Sequence, residues 1–149
     1  MISELPPSAL PPWELLQLAD PDLEKVKAYL PNCLVGILSD LSEPQGVIAL
    51  QEKSPGCWEI ENLAVATEHQ GKGHARKLLQ WAKEKVVAKE GRALRVATGN
   101  SSLPALELYE SFGMQVLEID RGYFLRAYQE PIFENGVQCT HRIILGMEW

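Results

Sequence analysis

Between Glu59 and Leu79 the chain changes from a strand pattern to a helix pattern across a short turn that contains two glycines. Residues up to Val65 have the pattern of a strand, and from Ala75 apolar residues recur at the spacing of one helix face. Such a junction brings free backbone N–H groups and the positive end of the helix dipole to one point. The sequence therefore predicts an anion-binding turn, and phosphate or pyrophosphate is the ligand that this geometry favours.

The residues before this turn predict an antiparallel meander. Strand patterns at Cys33–Leu38, Val47–Gln51 and Cys57–Val65 are separated by turn-rich links. A helix precedes them, and Asp20-Pro21 gives it a start signal, because a capping carboxylate is followed by proline at the first helical position.

The residues after the turn predict crossover connections. The long helix is followed by a strand at Leu94–Thr98, a helix that starts at Ser101 and a strand at Met114–Ile119. Helices between strands imply a parallel portion beside the meander. Asn135-Gly136 then predicts a hairpin turn that leads into a last strand at Val137–Leu145. Together, the meander and the crossover elements predict an α/β fold with a mixed sheet and helices on both faces of it.

Composition limits the classes of protein. The chain has 149 residues, of which 46% are hydrophobic and 23% charged, which is typical of one soluble globular domain over 1–149. A net charge of −6 without a basic block disfavours nucleic acid. Short apolar runs predict no membrane span, and the absence of an export signal pattern predicts a cytoplasmic protein. Cys33, Cys57 and Cys139 are widely spaced and predict neither disulfides nor a metal site.

Three phosphate-binding motifs compete at the turn. The dinucleotide pattern G-x-G-x-x-G fails at its third glycine, where Arg76 stands, and the nucleoside-triphosphate loop is absent. The residues that fit are Gln70-Gly71-Lys72-Gly73-His74-Ala75. This segment resembles the Q/R-x-x-G-x-G/A turn of the GNAT superfamily of N-acetyltransferases, which binds the pyrophosphate of acetyl-coenzyme A.

A second segment strengthens the resemblance. Ala105-Leu-Glu-Leu-Tyr109-Glu-Ser-Phe-Gly113-Met114 is similar to the superfamily signature A-x-x-x-Y-x-x-x-G-F, with methionine in place of the last aromatic. The resemblance covers about residues 34–124, with residues 125–149 as a C-terminal hairpin extension that is similar to a small group of uncharacterised bacterial members. It implies a GNAT-type mixed, mostly antiparallel central sheet with helices on both faces.

The resemblance implies an acetyl-CoA-dependent N-acetyltransferase. An acetyl group would move to a primary amine of a small molecule or protein by direct attack in a ternary complex, without a metal. The turn from Gln70 to Ala75 would hold the pyrophosphate, and the backbone of Leu63, Ala64 and Val65 would pair with pantetheine. Asn100 or Ser102 would contact the pantetheine arm, and the sequence leaves the choice between them open.

Two glutamates and a tyrosine are the predicted catalytic residues. Glu59 and Glu61 share parity on their strand, so both side chains point to one face, and either is a candidate general base. Tyr109 stands where the superfamily has its proton donor. An acyl-CoA-binding sensor or an interaction domain with little turnover is the alternative function, and the aromatic residues of the extension also suit packing in a homodimer.

Overall fold

The computed structural model describes residues 1–41 and 43–149 of the chain. They form two compact units, Met1–Arg92 and Ala93–Trp149. Within the described residues, no helix combines the length and the apolar character that crossing a membrane requires.

The first unit holds four strands and three helices. Its elements are, in chain order, β1 (Ile2–Glu4), α1 (Trp13–Ala19), α2 (Leu23–Tyr29), β2 (Leu34–Asp40), β3 (Glu43–Ser54), β4 (Cys57–Val65) and α3 (His74–Ala88). The strands pair antiparallel in the order β1-β2-β3-β4, which confirms the predicted meander. The predicted turn-rich link at Leu41–Gly46 is shorter than expected, because β3 already begins at Glu43; Ser42 lies outside the described residues.

Helices cover both faces of this four-stranded sheet. Leu16 of α1 and Val26 of α2 are buried against Val47 of β3 on one face. On the other face, α3 buries an apolar stripe made of Leu78, Leu79, Ala82 and Val86. Side chains of a strand alternate between the faces, so each strand of the sheet contributes to both cores.

The helix before β2 starts two residues later than predicted. Asp22, not Asp20, is the N-cap of α2, because its carboxylate accepts from the backbone N–H groups of Glu24 and Lys25. Asp20 ends α1 and accepts instead from the N–H of Asp22. Pro21 therefore lies between two helices and not in the first turn of one.

The second unit holds five strands and two helices. Its elements are β5 (Ala93–Gly99), α4 (Leu103–Phe112), β6 (Gln115–Asp120), α5 (Tyr123–Ala127), β7 (Ile132–Glu134), β8 (Val137–Cys139) and β9 (Arg142–Glu148). β9 pairs antiparallel with both β5 and β6, so these two strands run in the same direction, as a crossover through α4 requires. β7 and β8 form a separate hairpin.

The segment predicted as one last strand, Val137–Leu145, is two strands in different sheets. Asn135 and Gly136 have positive φ and form the predicted hairpin turn. Thr140 and His141 then break the strand, and β9 enters the sheet between β5 and β6. Apolar residues on both sides of the short break hide it in the sequence, because the whole segment then has the composition of one strand.

Gly36 is required by the close approach of α3 to the sheet. A Cβ at this position would overlap Cζ3 of Trp81. We expect Gly36→Ala to lower the free energy of unfolding by about 1–3 kcal/mol, because the indole must move in a packed core. Urea unfolding of Gly36→Ala, Trp81→Leu and the double variant measures this. Gly36→Ala should lower the free energy of unfolding clearly less in the Trp81→Leu protein than in the wild type. Equal losses in the two proteins would contradict the clash.

Candidate active site

The turn after β4 is built by a side-chain hydrogen bond and two left-handed glycines. A 3-10 turn at Thr67–His69 follows the strand, and Gln70 Nε2 donates to the carbonyl of Val65 at 3.1 Å. Gly71 and Gly73 have φ of 78° and 82°, a region that favours glycine. A Cβ on either glycine would meet no heavy atom of the described residues within 4 Å, so open space lies over the turn.

This turn delivers the chain directly to the N-terminus of α3. Gly73 is the N-cap, and no side chain among the described residues caps the helix. The first N–H groups, starting at His74 and Ala75, therefore have no acceptor within the helix. With the helix dipole they create positive potential in the open space over the glycines.

The charge of the turn comes from lysines and not from its histidine. Lys72 and Lys77 are exposed beside the helix start. Desolvation, together with the positive charges of Lys77, His69 and Lys72, lowers the pKa of His74. The His74 imidazole is therefore neutral at neutral pH, and its backbone N–H is the part that faces an anion.

The pairing of β3 with β4 has two register shifts, and each leaves one charged residue without a partner on the opposite strand. Glu61 has no partner in the β3–β4 register, which passes from Ile60 directly to Asn62. Lys53 is passed over in the same way on β3. A bulge bends its strand and turns the extra residue out of the regular alternation. The two bulged residues belong to neighbouring strands, and their side chains meet.

Glu61 and Lys53 form an ion pair. Lys53 Nζ lies 2.5 Å from Glu61 Oε1, and the side chains are 16% exposed for Glu61 and 44% for Lys53. The hydrogen bond to Glu61 and the charges of Glu61 and Glu59 raise the pKa of Lys53. Glu61 thus already binds a primary ammonium.

Asn62 lies next to Glu61 and connects three elements. It is 3% exposed, and its Nδ2 donates to the Leu16 carbonyl at 2.8 Å and to the Tyr29 hydroxyl at 2.9 Å. Burial raises the pKa of Tyr29 to about 12 against the opposing effect of the Asn62 hydrogen bond, and Glu61 adds to the increase. The Tyr29 hydroxyl is therefore a neutral group that accepts from Asn62 and keeps its own proton.

Asn62 contacts the Tyr29 hydroxyl and the charge of Glu61 acts on the same phenol, so the bulge brings both residues to the side of α2, although strict alternation would put neighbouring residues on opposite faces. Cys33 belongs to the same group, because its Sγ lies 3.3 Å from the Tyr29 carbonyl. Burial, and then the charge of Glu61, raises the pKa of the Cys33 thiol to about 12. The sequence analysis missed Tyr29, Lys53 and Asn62. A lone asparagine among the apolar residues of β4 was the one available signal.

In the second unit, Asn100 holds the segment that joins β8 to β9. Its Oδ1 accepts from the N–H groups of Thr140 at 2.7 Å and His141 at 2.9 Å. Its Nδ2 donates to the carbonyl of Gln138 at 3.1 Å. Both ends of the Asn100 amide are thus engaged inside this unit, and they fix the break between the two strands.

Ser102, the other candidate, contacts the hairpin as well. Its hydroxyl donates to Glu134 at 2.8 Å, and the hydroxyl of Ser101 donates to the same carboxylate oxygen at 3.1 Å. The contact of Asn100 or Ser102 with pantetheine stays a prediction. What the geometry adds is a structural role for both residues, because together they attach the β7–β8 hairpin to the start of α4.

Tyr109 is buried on α4. It is 6% exposed, and its burial raises the pKa of the phenol to about 12. The next residues end the helix at Gly113, whose φ of 115° makes it the left-handed C-cap. Tyr109 therefore remains a neutral O–H donor throughout the range of pH in which proteins work.

The predicted residues thus fall into two groups. The first unit brings together the six residues of the turn with the end of β4, where Ala64 and Val65 are buried and Leu63 is half-buried, and it places Glu59 and Glu61 further back on the same strand. The second unit holds Asn100, Ser102 and Tyr109 around the start and middle of α4.

A strand, a glycine turn that exposes helix N–H groups, and a mixed α/β fold with mostly antiparallel strands are the features that the resemblance to acetyltransferases led us to expect. The model of the Acetyltransferase (GNAT) family matches residues 2–114, which is more than half of the chain. The chain belongs to this family, and the prediction of an N-acetyltransferase is confirmed at the level of the family.

Similar proteins come from several bacteria. An uncharacterised N-acetyltransferase of Bacillus subtilis (strain 168), YvbK, is 38% identical over 138 residues, which are 91% of this chain and 88% of YvbK. The structure of an IAA acetyltransferase from Bacillus cereus ATCC 14579 is 39% identical, with a TM-score of 0.93 over 100% of this chain and 99% of that one. A GNAT family acetyltransferase from Elizabethkingia anophelis, crystallised with acetyl-CoA bound, is 34% identical, with a TM-score of 0.95 over 100% and 97% of the two chains.

The role of Asn100 in attaching the β8–β9 segment can be measured without a ligand. We expect Asn100→Ala to lower the free energy of unfolding by about 2 kcal/mol, because two N–H groups and a carbonyl lose their partner. Ser102→Ala removes one hydrogen bond at a less buried position and should cost less than about 1 kcal/mol. Urea unfolding gives both values. Hydrogen exchange should also speed up at Thr140 and His141 in Asn100→Ala alone, and unchanged exchange there would contradict this role.

Proposed function

We propose that the chain transfers an acetyl group from acetyl-CoA to a primary amine of a small molecule or protein, by direct attack within a ternary complex. The observation that carries this proposal is the uncapped start of α3 behind Gly71 and Gly73, with open space above it. The bound acetyl-CoA of a relative that is 34% identical supports the same ligand. Acetyl-CoA would supply the activated acetyl group as a thioester.

The turn from Gln70 to Ala75 would bind the pyrophosphate through backbone N–H groups. Gln70 acts through its side chain on Val65, which fixes the path of the turn relative to β4. Lys72 adds positive charge at the rim, and the two glycines let phosphate oxygens approach the backbone. The backbone of Leu63, Ala64 and Val65 would pair with the pantetheine arm, and an N–H near Leu63 would stabilise negative charge that develops on the thioester oxygen.

Glu61 is the residue that we propose as general base. An aliphatic ammonium with a pKa of about 10 must lose a proton before its nitrogen can attack. Glu61 is half-buried, is displaced from the regular alternation by its bulge, and is already paired with the ammonium of Lys53. Glu59 lies further from the turn on the same strand and contributes to the negative charge felt by Lys53. Glu59 therefore has an electrostatic role in attracting a cationic acceptor.

Tyr109 is proposed to assist the departing thiolate. Its phenol keeps its proton up to about pH 12 because it is buried. Full proton transfer from so weak an acid to a thiolate is uphill, so a hydrogen bond from the phenol to the sulfur is the stabilisation that it can provide.

The alternative function is an acyl-CoA-binding sensor with little turnover. It shares the turn with the enzyme but needs neither Glu61 nor Tyr109. Both functions predict binding of acetyl-CoA, so only a measurement of turnover distinguishes the enzyme from the sensor.

Binding is tested first, by thermal unfolding with and without acetyl-CoA. A ligand at about 100 times its dissociation constant adds about 2.7 kcal/mol, which for a chain of this size raises Tm by roughly 5–10 °C. Gly73→Ala is the matched variant. Its Cβ enters the open space over the turn and its left-handed φ disfavours alanine, so its shift in Tm should be clearly smaller. A wild-type Tm that does not move at millimolar acetyl-CoA would overturn both functions.

The base is tested by single and double substitution. We expect Glu61→Gln to reduce kcat by about 10²–10³-fold and leave the acetyl-CoA shift in Tm intact, because only proton removal is lost. Glu59→Gln should act mainly on KM for a cationic amine. Release of coenzyme A is measured with polyamines, aminoglycosides, amino acids and peptides as acceptors. Full activity of the Glu59→Gln/Glu61→Gln double variant would show that neither glutamate is the base.

A further inference from the structure

The first unit contains a cavity that the proposed function does not use. It has a volume of about 410 Å³ and lies between the loop after β1, the start of α1, and the segment that joins α2 to β2. None of the described residues that line it belongs to β4 or to the turn from Gln70 to Ala75. The volume is in the range of about 300–1,000 Å³ that is usual for small-molecule sites.

The wall that comes from the loop after β1 has little capacity for hydrogen bonds. Pro6, Pro7 and Pro11 line the cavity, and proline has no backbone N–H. The carbonyl of Pro6 accepts from the N–H of Ala9 at 3.0 Å, and the carbonyl of Pro11 accepts from the N–H of Trp13 at 3.0 Å. Trp13 also lines the cavity, and an indole offers a large flat apolar surface. This wall therefore fits the apolar body of a ligand.

The wall between α2 and β2 is satisfied in the same way. The carbonyl of Leu30 accepts from the N–H of Cys33 at 3.0 Å, and the carbonyl of Val35 accepts from the N–H of Leu5 at 2.8 Å. All four residues line the cavity. The Cys33 thiol is neutral, because burial raises its pKa to about 12. A polar group of a ligand must therefore find its partner elsewhere at the cavity.

The partner for such a polar group is Lys27. The described lining residues include two charged ones, and Glu4 already has a counterion, because its Oε1 lies 3.8 Å from Lys85 Nζ. Lys27 is exposed in the last turn of α2 and makes no hydrogen bond or ion pair within the described part of the chain. Its charge suits the helix C-terminus, and it also leaves one ammonium open beside apolar walls. An anion complements that ammonium.

We propose that this cavity binds a small aromatic carboxylate, with the ring against the prolines and Trp13 and the carboxylate at the ammonium of Lys27. The inference is independent of the proposed function, because it uses neither the glycine turn nor Glu61. It adds a second ligand site to the unit that carries the proposed acetyl-CoA site.

The probes are naphthylacetate, naphthylacetamide and acetate. The amide keeps the ring and loses the charge, whereas acetate keeps the charge and loses the ring. Each is titrated into the full-length, isotope-labelled protein without acetyl-CoA, and NMR follows the backbone N–H groups of Ala9, Trp13 and Cys33, three residues that line the cavity. We expect naphthylacetate to shift these signals at millimolar concentration. The amide should bind about 3-fold to 5-fold more weakly, as the loss of an ion pair at an exposed ammonium implies, and acetate should leave the signals unchanged.

Two lysine variants test the partner of the carboxylate. Lys27→Ala should lower the affinity for naphthylacetate to that for naphthylacetamide and leave the affinity for the amide unchanged. Lys89→Ala is the matched control, because Lys89 is an exposed lysine at the end of α3 that does not line the cavity. It should bind both probes as the wild type does. Both substitutions are at exposed positions, so we expect both variants to fold.

The remaining outcomes overturn the inference. Signals at the cavity that do not move with naphthylacetate at its limit of solubility, or shifts that occur only outside the cavity, contradict a site here. Equal affinities for the acid and the amide in the wild type contradict recognition of the carboxylate, as do equal effects of Lys27→Ala and Lys89→Ala. Shifts with acetate as large as those with naphthylacetate would show a response to surface charge and contradict a role of the apolar walls.

Discussion

The register shift at Glu61 is the constraint from which the site of the first unit follows. A strand buried on both faces has to alternate, and strict alternation would put Glu61 and Asn62 on opposite sides of the sheet. Because Glu61 is an extra residue in the register, Glu61 and the buried amide of Asn62 lie on the same face of the sheet, the face that α1 and α2 cover. A second bulge at Lys53 supplies the counterion on the neighbouring strand.

The same residues also stabilise the fold, and this connects activity to stability. Asn62 ties β4 to the middle of α1 through Leu16 and to the end of α2 through Tyr29. A buried amide is tolerated only when its polar atoms find partners, so the helices take up the positions that the amide requires. Substitutions at Asn62 are therefore expected to change the packing of two helices as well as the site, which is why comparisons between matched variants carry more weight than single losses of activity.

Much of the fold could be predicted because its determinants are local. The change of period at the glycine turn, the stripe of α3 and the Asn135-Gly136 hairpin each depend on residues close in sequence. The predicted start of α2 is wrong by two residues because Asp20 and Asp22 are equally good caps in sequence, and only the end of α1 decides between them. The division of Val137–Leu145 into two strands depends on Asn100, which is about 40 residues away.

The anion-binding turn of the candidate site could be predicted from the sequence, whereas most of the acceptor side could not. The anion-binding turn is a continuous segment, so its motif contains its geometry. The acceptor side depends on Tyr29, Lys53 and Asn62, which come from three separate elements. A bulge is a single extra residue in one strand. The alternation of apolar and polar residues along a strand therefore does not show where a bulge lies. Parity groups Glu59 with Glu61, and the charges of both act on Lys53, but the bulge that brings Asn62 to the side of Glu61 cannot be derived from parity.

Three groups near Glu61 keep one protonation state through the neutral range of pH, so we expect the amine acceptor to be the group whose titration affects the rate. Tyr29 and Cys33 keep their protons up to about pH 12, because burial raises the pKa of each, and Lys53 stays cationic because its pKa is raised too. Tyr109 in the second unit is likewise neutral up to about pH 12. An aliphatic acceptor with a pKa of about 10 gains its free lone pair as the pH rises toward that value. The rate should therefore increase with pH through the neutral range, and the increase should follow the basicity of the amine and not a group of the protein.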